Sequence, residues 1–279
     1  MTVMEIQKLT GRLGALVEDV DLETIDNAAF EALHDALMTH QVLFMRDQRL
    51  SDDGHRRLAG LFGTPTVYPL SKHFGGTEYL HVIEDTAESP PDADDWHMDI
   101  TWVDDPPKVA ILTALVIPGY GGDTMWSDLY GAWDQLSPPM KESLAPLQVR
   151  HTPGDRFWDA VDRASDLDVA DLRKAFPGAV HPLVRDHPVT GRTVLNLSGS
   201  FMESIVGMHP AESDWILAWL TARVDDPNLQ IRWRWREGDV AIWDEYSTNH
   251  RALSDHYPQR RRMRRCTVDS VPAELQRLS

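Results

Sequence analysis

The stretch IRWRWREGDVAIWD, Ile231–Asp244, decides the fold class. In IRWRWR apolar and basic side chains alternate with period two, the pattern of a strand with one buried face. EGD then offers a turn and VAIW a second apolar run, so the segment predicts a hairpin of two strands. RRMRRCTVDS (261–270) reads as a last strand downstream of it. Upstream, EYLHVIED (78–85), KVAILTALVI (108–117) before the turn PGYGG, and TVLNLSGSF (193–201) after HPVTG also read as extended. Helices are expected at LYGAWDQLS, DVADLRKAF and ESDWILAWLTARV. The first third reads as helix, strand, helix. TIDNAAFEALHDALMTH carries Ala29, Leu33 and Leu37 at helical spacing behind Thr24 and Asp26 as caps, QVLFMRDQ is a buried strand, and SDDGHRRLAGLFG opens on Ser51 and closes on Gly63. Many strands, Gly/Pro turns and inserted helices make this a mainly β chain with α, a double-sheet β-roll with helices packed outside it. No repeat or linker divides it, so residues 1–279 are expected to form one domain.

A chain of 279 residues, 42% of them hydrophobic, can bury a large core. No apolar run approaches the roughly 18 residues of a membrane span, and the acidic start MTVMEIQKLTGRLGALVEDV lacks the core of a signal peptide. The single cysteine, Cys266, cannot form an internal disulfide, which suits the cytoplasm. A formal net charge of −17 argues against nucleic acid and anionic membranes as partners, since both require positive surfaces. Against that acidic background PQRRRMRRC concentrates Arg260, Arg261, Arg262, Arg264 and Arg265, which fits a pocket for a small anion.

DWHMDITW (95–102) holds His97 and Asp99 two residues apart. On a strand both would point to one side while Met98 faces away. Two histidines and one carboxylate leave coordination positions open on non-haem Fe(II), so the pair would supply two of three ligands. The third is sought far along the chain, where a distant strand returns. His250, in AIWDEYSTNHRALSDH, is the first candidate among twelve histidines, and His256 the second. Alone, HMD reads as a chance exposed triplet and the arginine run as a solvated strand face. Their joint order is what carries the chemistry.

That order, with WHMDITW, PGYGGDTMWSD, HPLVRDHPVTG, RWRWREGDVAIWDEYSTNHRA and YPQRRRMRR, resembles the taurine dioxygenase (TauD/TfdA-like) family of Fe(II)- and 2-oxoglutarate-dependent dioxygenases. The resemblance runs from TGRLGALVEDVDL to RRCTVDS. It implies a double-stranded β-helix (jelly-roll) core with surrounding helices, and iron held by His97, Asp99 and His250. It further implies that Arg261, assisted by Thr124, holds the distal carboxylate of 2-oxoglutarate, a task matched to a guanidinium fork. The implied reaction consumes O2 and 2-oxoglutarate, gives succinate and CO2, and hydroxylates the substrate. Halogenating relatives lack the carboxylate that Asp99 provides, so hydroxylation is the expected outcome. A homodimer or homotetramer is also implied.

In taurine-type members the arginine at position 265 holds a sulfonate, so the resemblance implies a small anionic organic substrate. Phe201 and Ile100 are expected in the substrate pocket, Phe201 equally readable as core packing. Tyr68 stands before Pro69 where the taurine enzyme has histidine, Ser71 where it has tyrosine and Ala93 where it has asparagine. His73 is a further candidate for the anion. These changes redirect specificity away from taurine, because unmatched polar groups would be buried. Two substrate classes follow: an alkyl sulfonate or sulfate ester cleaved after hydroxylation beside the heteroatom, or a carboxylate such as an aryloxyalkanoate or an amino-acid-like metabolite. Outside the class stand a hydrolytic zinc enzyme on the same ligands, and a β-roll binding protein without catalysis.

Overall fold

The structure is a computed structural model and describes residues 4–91, 94–165 and 167–269. The strands are β1 Glu5–Lys8, β2 Ala15–Glu18, β3 Val42–Met45, β4 His81–Asp85, β5 Val109–Val116, β6 Thr124–Asp128, β7 Gln148–His151, β8 Ala179–Pro182, β9 Val184–Asp186, β10 Thr193–Leu195, β11 Met202–Ile205, β12 Gln230–Trp233, β13 Val240–Asp244, β14 Thr248–Ala252 and β15 Arg261–Val268. The helices are α1 Asn27–His40, α2 Asp52–Phe62, α3 Pro69–His73, α4 Leu129–Asp134, α5 Pro138–Leu144, α6 Gly154–Ala164, α7 Val169–Ala175 and α8 Pro210–Thr221. None of the described helices is long and apolar enough to cross a membrane.

One sheet has the order β1-β2-β3-β13-β5-β15-β4, antiparallel except where β2 meets β3. A three-stranded sheet, β12-β6-β14, lies against it. Period two sorts the larger sheet's side chains between two cores. Val42, Phe44, Leu112, Trp243 and Met263 face inward and meet Trp126, Ile231 and Trp233 of the smaller sheet. Leu43, Met45, Ile111, Val240, Ile242 and Val268 face outward, where Phe30, Leu33 and Leu37 of α1 and Leu58 and Phe62 of α2 cover them. Asp26 caps α1 through the Ala29 N–H and Ser51 caps α2 through the Gly54 N–H, as the sequence suggests. Each cap contributes about 1 kcal/mol, whereas emptying the volume of buried Trp126 would cost about 3–5 kcal/mol, so packing dominates.

The expected hairpin is corrected. Ile231, Trp233 and Trp235 are buried while Arg232, Arg234 and Arg236 are exposed, so the alternation assigns the faces correctly. The two strands nevertheless do not pair. β12 runs against β6, and β13 runs between β3 and β5, so the turn at Gly238 carries the chain from one sheet to the other. Asp239 holds that turn, accepting from the Arg236 N–H (2.8 Å) and Trp233 Nε1 (3.2 Å) and pairing with Arg46.

Burial holds the imidazoles of His55 and His151 neutral, pushing each pKa down to about 3. A histidine depressed in the folded state binds its proton only on unfolding, so stability falls as pH drops from about 6.5 toward 3. Each contributes about 1.4 kcal/mol per pH unit in that window. The melting temperature is expected to fall between pH 6.5 and 5, where ordinary carboxylates stay ionised. A flat profile there would count against the buried neutral pair.

Candidate metal centre and its cavity

His97 is not on a strand, which corrects the expectation for the H-x-D segment. It forms an isolated bridge with His250 of β14, the two residues exchanging both backbone hydrogen bonds (His97 N–H to His250 O, 2.9 Å; His250 N–H to His97 O, 2.8 Å). The chain then turns at Asp99 and Ile100, with φ of Ile100 at 55°. A β-branched residue in the left-handed region is strained by about 1–3 kcal/mol, and such strain persists only where surrounding contacts over-determine it. Met98 does face away, packing among Trp96, Leu197 and Leu220. The turn, rather than strand periodicity, brings Asp99 beside both histidines.

The ligand atoms of His97, Asp99 and His250 lie within 4.8 Å of one another. Asp99 Oδ1 is 3.9 Å from Nε2 of each histidine. Cis ligands about 2.1 Å from an ion stand about 3 Å apart, so small side-chain rotations would close the set. His97 Nδ1 lies 2.7 Å from the Asp95 carbonyl, which can only accept. That fixes the proton on Nδ1 and leaves Nε2 free to ligate. Burial pushes both histidines' pKa down, that of His250 well down, so both are neutral donors. Burial alone would raise the Asp99 carboxyl, but the Arg265 guanidinium on both its oxygens leads the opposing effects and its pKa is lowered. Two neutral imidazoles and a carboxylate, with no thiolate, fit Fe(II) with open positions. His256 is elsewhere: it is buried, and its Nε2 is 3.3 Å from Asp85 Oδ2.

A cavity of about 470 Å³ opens over this group. Its walls include His97, Asp99, Arg261, Arg265, Tyr68, Ile100 and Phe201. Arg261, Met263 and Arg265 share the inner face of β15, with Met263 in the inter-sheet core. Arg264 has the opposite parity and turns outward to Asp52 and His55 of α2. Arg261 is 3% exposed, and its Nε donates to Gly122 O at 2.9 Å. Gly122 has φ 69°, and a Cβ there would stand 3.0 Å from the Arg261 side chain. The PGYGG turn is therefore shaped by what it holds. Thr124 lies beneath, its Oγ1 3.4 Å from Arg261 Nη2 and accepting from Trp235 Nε1 at 2.9 Å, and it does not line the cavity.

Arg265 places Nη1 on both carboxylate oxygens of Asp99 (2.7 and 2.9 Å). Phe201 lies edge-on to the His97 ring, centroids 6.2 Å apart. The Tyr68 ring stacks on His81 at 5.4 Å, and burial pushes its phenol up to about 12, so the hydroxyl keeps its proton. The structure does not bring Ser71 or His73 to the cavity. Both are exposed on α3, where the short helix turns them outward, and His73 packs against Phe74 and Phe176 beside a neighbouring groove. Ala93 lies outside the described residues.

Two residues escaped the sequence reading. His81 sits directly across from Arg265 in the β4–β15 register and lines the cavity. Period two along LHVIED, matched to the arginine strand, was the signal for it. Glu245 is 2% exposed and accepts the Asp99 N–H at 3.0 Å. Nothing local in WDEYS distinguishes it from a surface loop acid.

Two imidazoles and one carboxylate close to an arginine-walled cavity are a donor set that could hold a mononuclear non-haem metal ion. The chain belongs to the taurine catabolism dioxygenase TauD, TfdA family, whose model matches residues 5–267. It is 36% identical to an alpha-ketoglutarate-dependent sulfate ester dioxygenase of Pseudomonas putida, covering 95% of this chain and 89% of that one. It is 34% identical to an alkylsulfatase of Acinetobacter baylyi, covering 95% and 84%. A taurine dioxygenase structure from Burkholderia xenovorans superimposes with a TM-score of 0.79 at 31% identity, covering 95% and 90%.

Proposed function

We propose that this protein is an Fe(II)- and 2-oxoglutarate-dependent dioxygenase that hydroxylates a small anionic organic substrate, an alkyl sulfate ester or sulfonate, next to its heteroatom. The observation that carries this reading is that Arg261, Arg265 and the His97–Asp99–His250 group belong to one cavity or lie directly beneath it. His97, Asp99 and His250 would hold the iron, which supplies oxidation of C–H by O2. Arg261 would grip the distal carboxylate of 2-oxoglutarate, with Thr124 supporting the guanidinium. Arg265, flanked by His81 and Tyr68, would take the substrate anion, with Ile100 and Phe201 against its apolar body. 2-Oxoglutarate and O2 become succinate and CO2, and the remaining oxygen atom enters the substrate. A sulfate ester R–CH2–OSO3⁻ becomes R–CH(OH)–OSO3⁻, which collapses to aldehyde, sulfate and a proton. Similarity to a sulfate ester dioxygenase and to an alkylsulfatase supports the sulfate ester class. We read the two facing sheets as a double-stranded β-helix, residues 1–279 as one domain, and the cytoplasm as its compartment. A homodimer or homotetramer is part of the same proposal, supported by Trp215, 64% exposed and stacked on Trp219 of α8. A monomer in sedimentation would remove it.

Succinate release across a panel of alkyl sulfate esters, alkyl sulfonates and aryloxyalkanoates tests the reading. Stimulation by the sulfur oxyanions is expected. If none of them stimulates and an aryloxyalkanoate does, the carboxylate reading replaces it. Arg265→Ala is expected to raise KM for the active substrate about 10- to 100-fold, the value of one charge-assisted contact, with the 2-oxoglutarate requirement unchanged. An unchanged KM would remove Arg265 from the anion site.

A further inference from the structure

Asp99 is held from two sides, and only one of them is the cavity. Behind it lies Glu245, in the loop between β13 and β14, five residues before His250. Glu245 Oε2 accepts the Asp99 N–H at 3.0 Å, and Oε1 accepts Trp243 Nε1 at 2.7 Å. Its own N–H donates to Lys108 O at 2.9 Å, which fixes the loop against the start of β5. Asp99 and Glu245 are 4% and 2% exposed, so water cannot take over these bonds. Ile100, directly after Asp99, holds a left-handed conformation that an unanchored turn would abandon.

We propose that Glu245 is a positioning residue for the metal centre: its carboxyl locks the Asp99–Ile100 turn to the loop that leads into β14 and His250, setting the spacing of the three ligands. The inference rests on the metal-site reading above. Without the carboxyl the Asp99 N–H is left buried and unpaired, and the turn can relax by rotating Asp99 away from the histidines. Trp243 loses a partner too, but its ring still packs against His250, 4.9 Å between centroids. The two bonds therefore have separable consequences.

The test is Mn(II) affinity, measured by electron paramagnetic resonance on the full chain stripped of metal, with apo melting temperatures alongside. Glu245→Ala is expected to weaken Mn(II) binding about 10- to 100-fold, the usual effect of losing a partner behind a ligand. Glu245→Gln, whose amide can present its accepting oxygen at only one of the two carboxylate oxygen positions, should fall between wild type and alanine. Trp243→Phe removes the second donor and keeps the ring, so its affinity should stay near wild type. Should the alanine variant fail to fold, the glutamine variant carries the comparison. Unchanged affinity in folded Glu245 variants overturns the proposal, as does an equal loss in Trp243→Phe, which would make the effect general packing. Failure of the wild type itself to bind Mn(II) would instead overturn the metal-site reading.

Discussion

Asp99→Ala is expected to abolish hydroxylation, by about 10³-fold or more, equivalent to about 4 kcal/mol of barrier. Asp99 is the only anion in the donor set, and its two oxygens also engage Arg265. Removing it takes away a ligand and leaves a cation beside the ion position with nothing to balance it. Succinate release and Mn(II) affinity should fall together, because the lesion is in the metal site rather than in substrate recognition. His250→Ala should behave alike. Normal turnover in His250→Ala would move the third ligand to His256, although that imidazole pairs with Asp85 rather than facing Asp99.

Arg261→Ala should act on the cosubstrate alone. The 2-oxoglutarate concentration for half-maximal rate is expected to rise about 10- to 100-fold, the loss of a bidentate charge-assisted contact, while the substrate KM stays unchanged. Arg261→Lys should recover only part of this. The guanidinium uses Nε on Gly122 O and Nη2 near Thr124 to fix its plane, and Nη1 stands 3.9 Å from Asp85. A lysine carries the charge without the fork, so it cannot hold that geometry and meet a carboxylate as well. Titration of succinate release against 2-oxoglutarate measures this. An unchanged requirement in Arg261→Ala would place the distal carboxylate elsewhere.

Individual elements show how far local sequence reaches. Asp26 and Ser51 cap their helices because capping is chemistry within three residues. The alternation of IRWRWR assigns faces because side-chain parity along a strand is local. It says nothing of which strand lies alongside, so the hairpin was the wrong partner assignment. The polar ties of Asp239, which reach Arg46 about two hundred positions away in the chain, send the second strand to the other sheet. Ser71 and His73 failed for a related reason. Alignment fixes position along the chain, whereas α3 decides which way those side chains turn.

By itself, the sequence determined the inventory: a mainly β chain with helices, an acidic composition with one arginine strand, and the candidate ligands His97, Asp99 and His250 with Arg261 and Arg265. Tertiary structure alone decided that His97 and His250 bridge each other, that a strained turn rather than a strand aims Asp99, and that His81 and Glu245 join the site. Residue type and parity are short-range properties that each segment carries alone. Strand partnership and the bond behind Asp99 join positions about 150 residues apart, and they exist only once the sheets have packed.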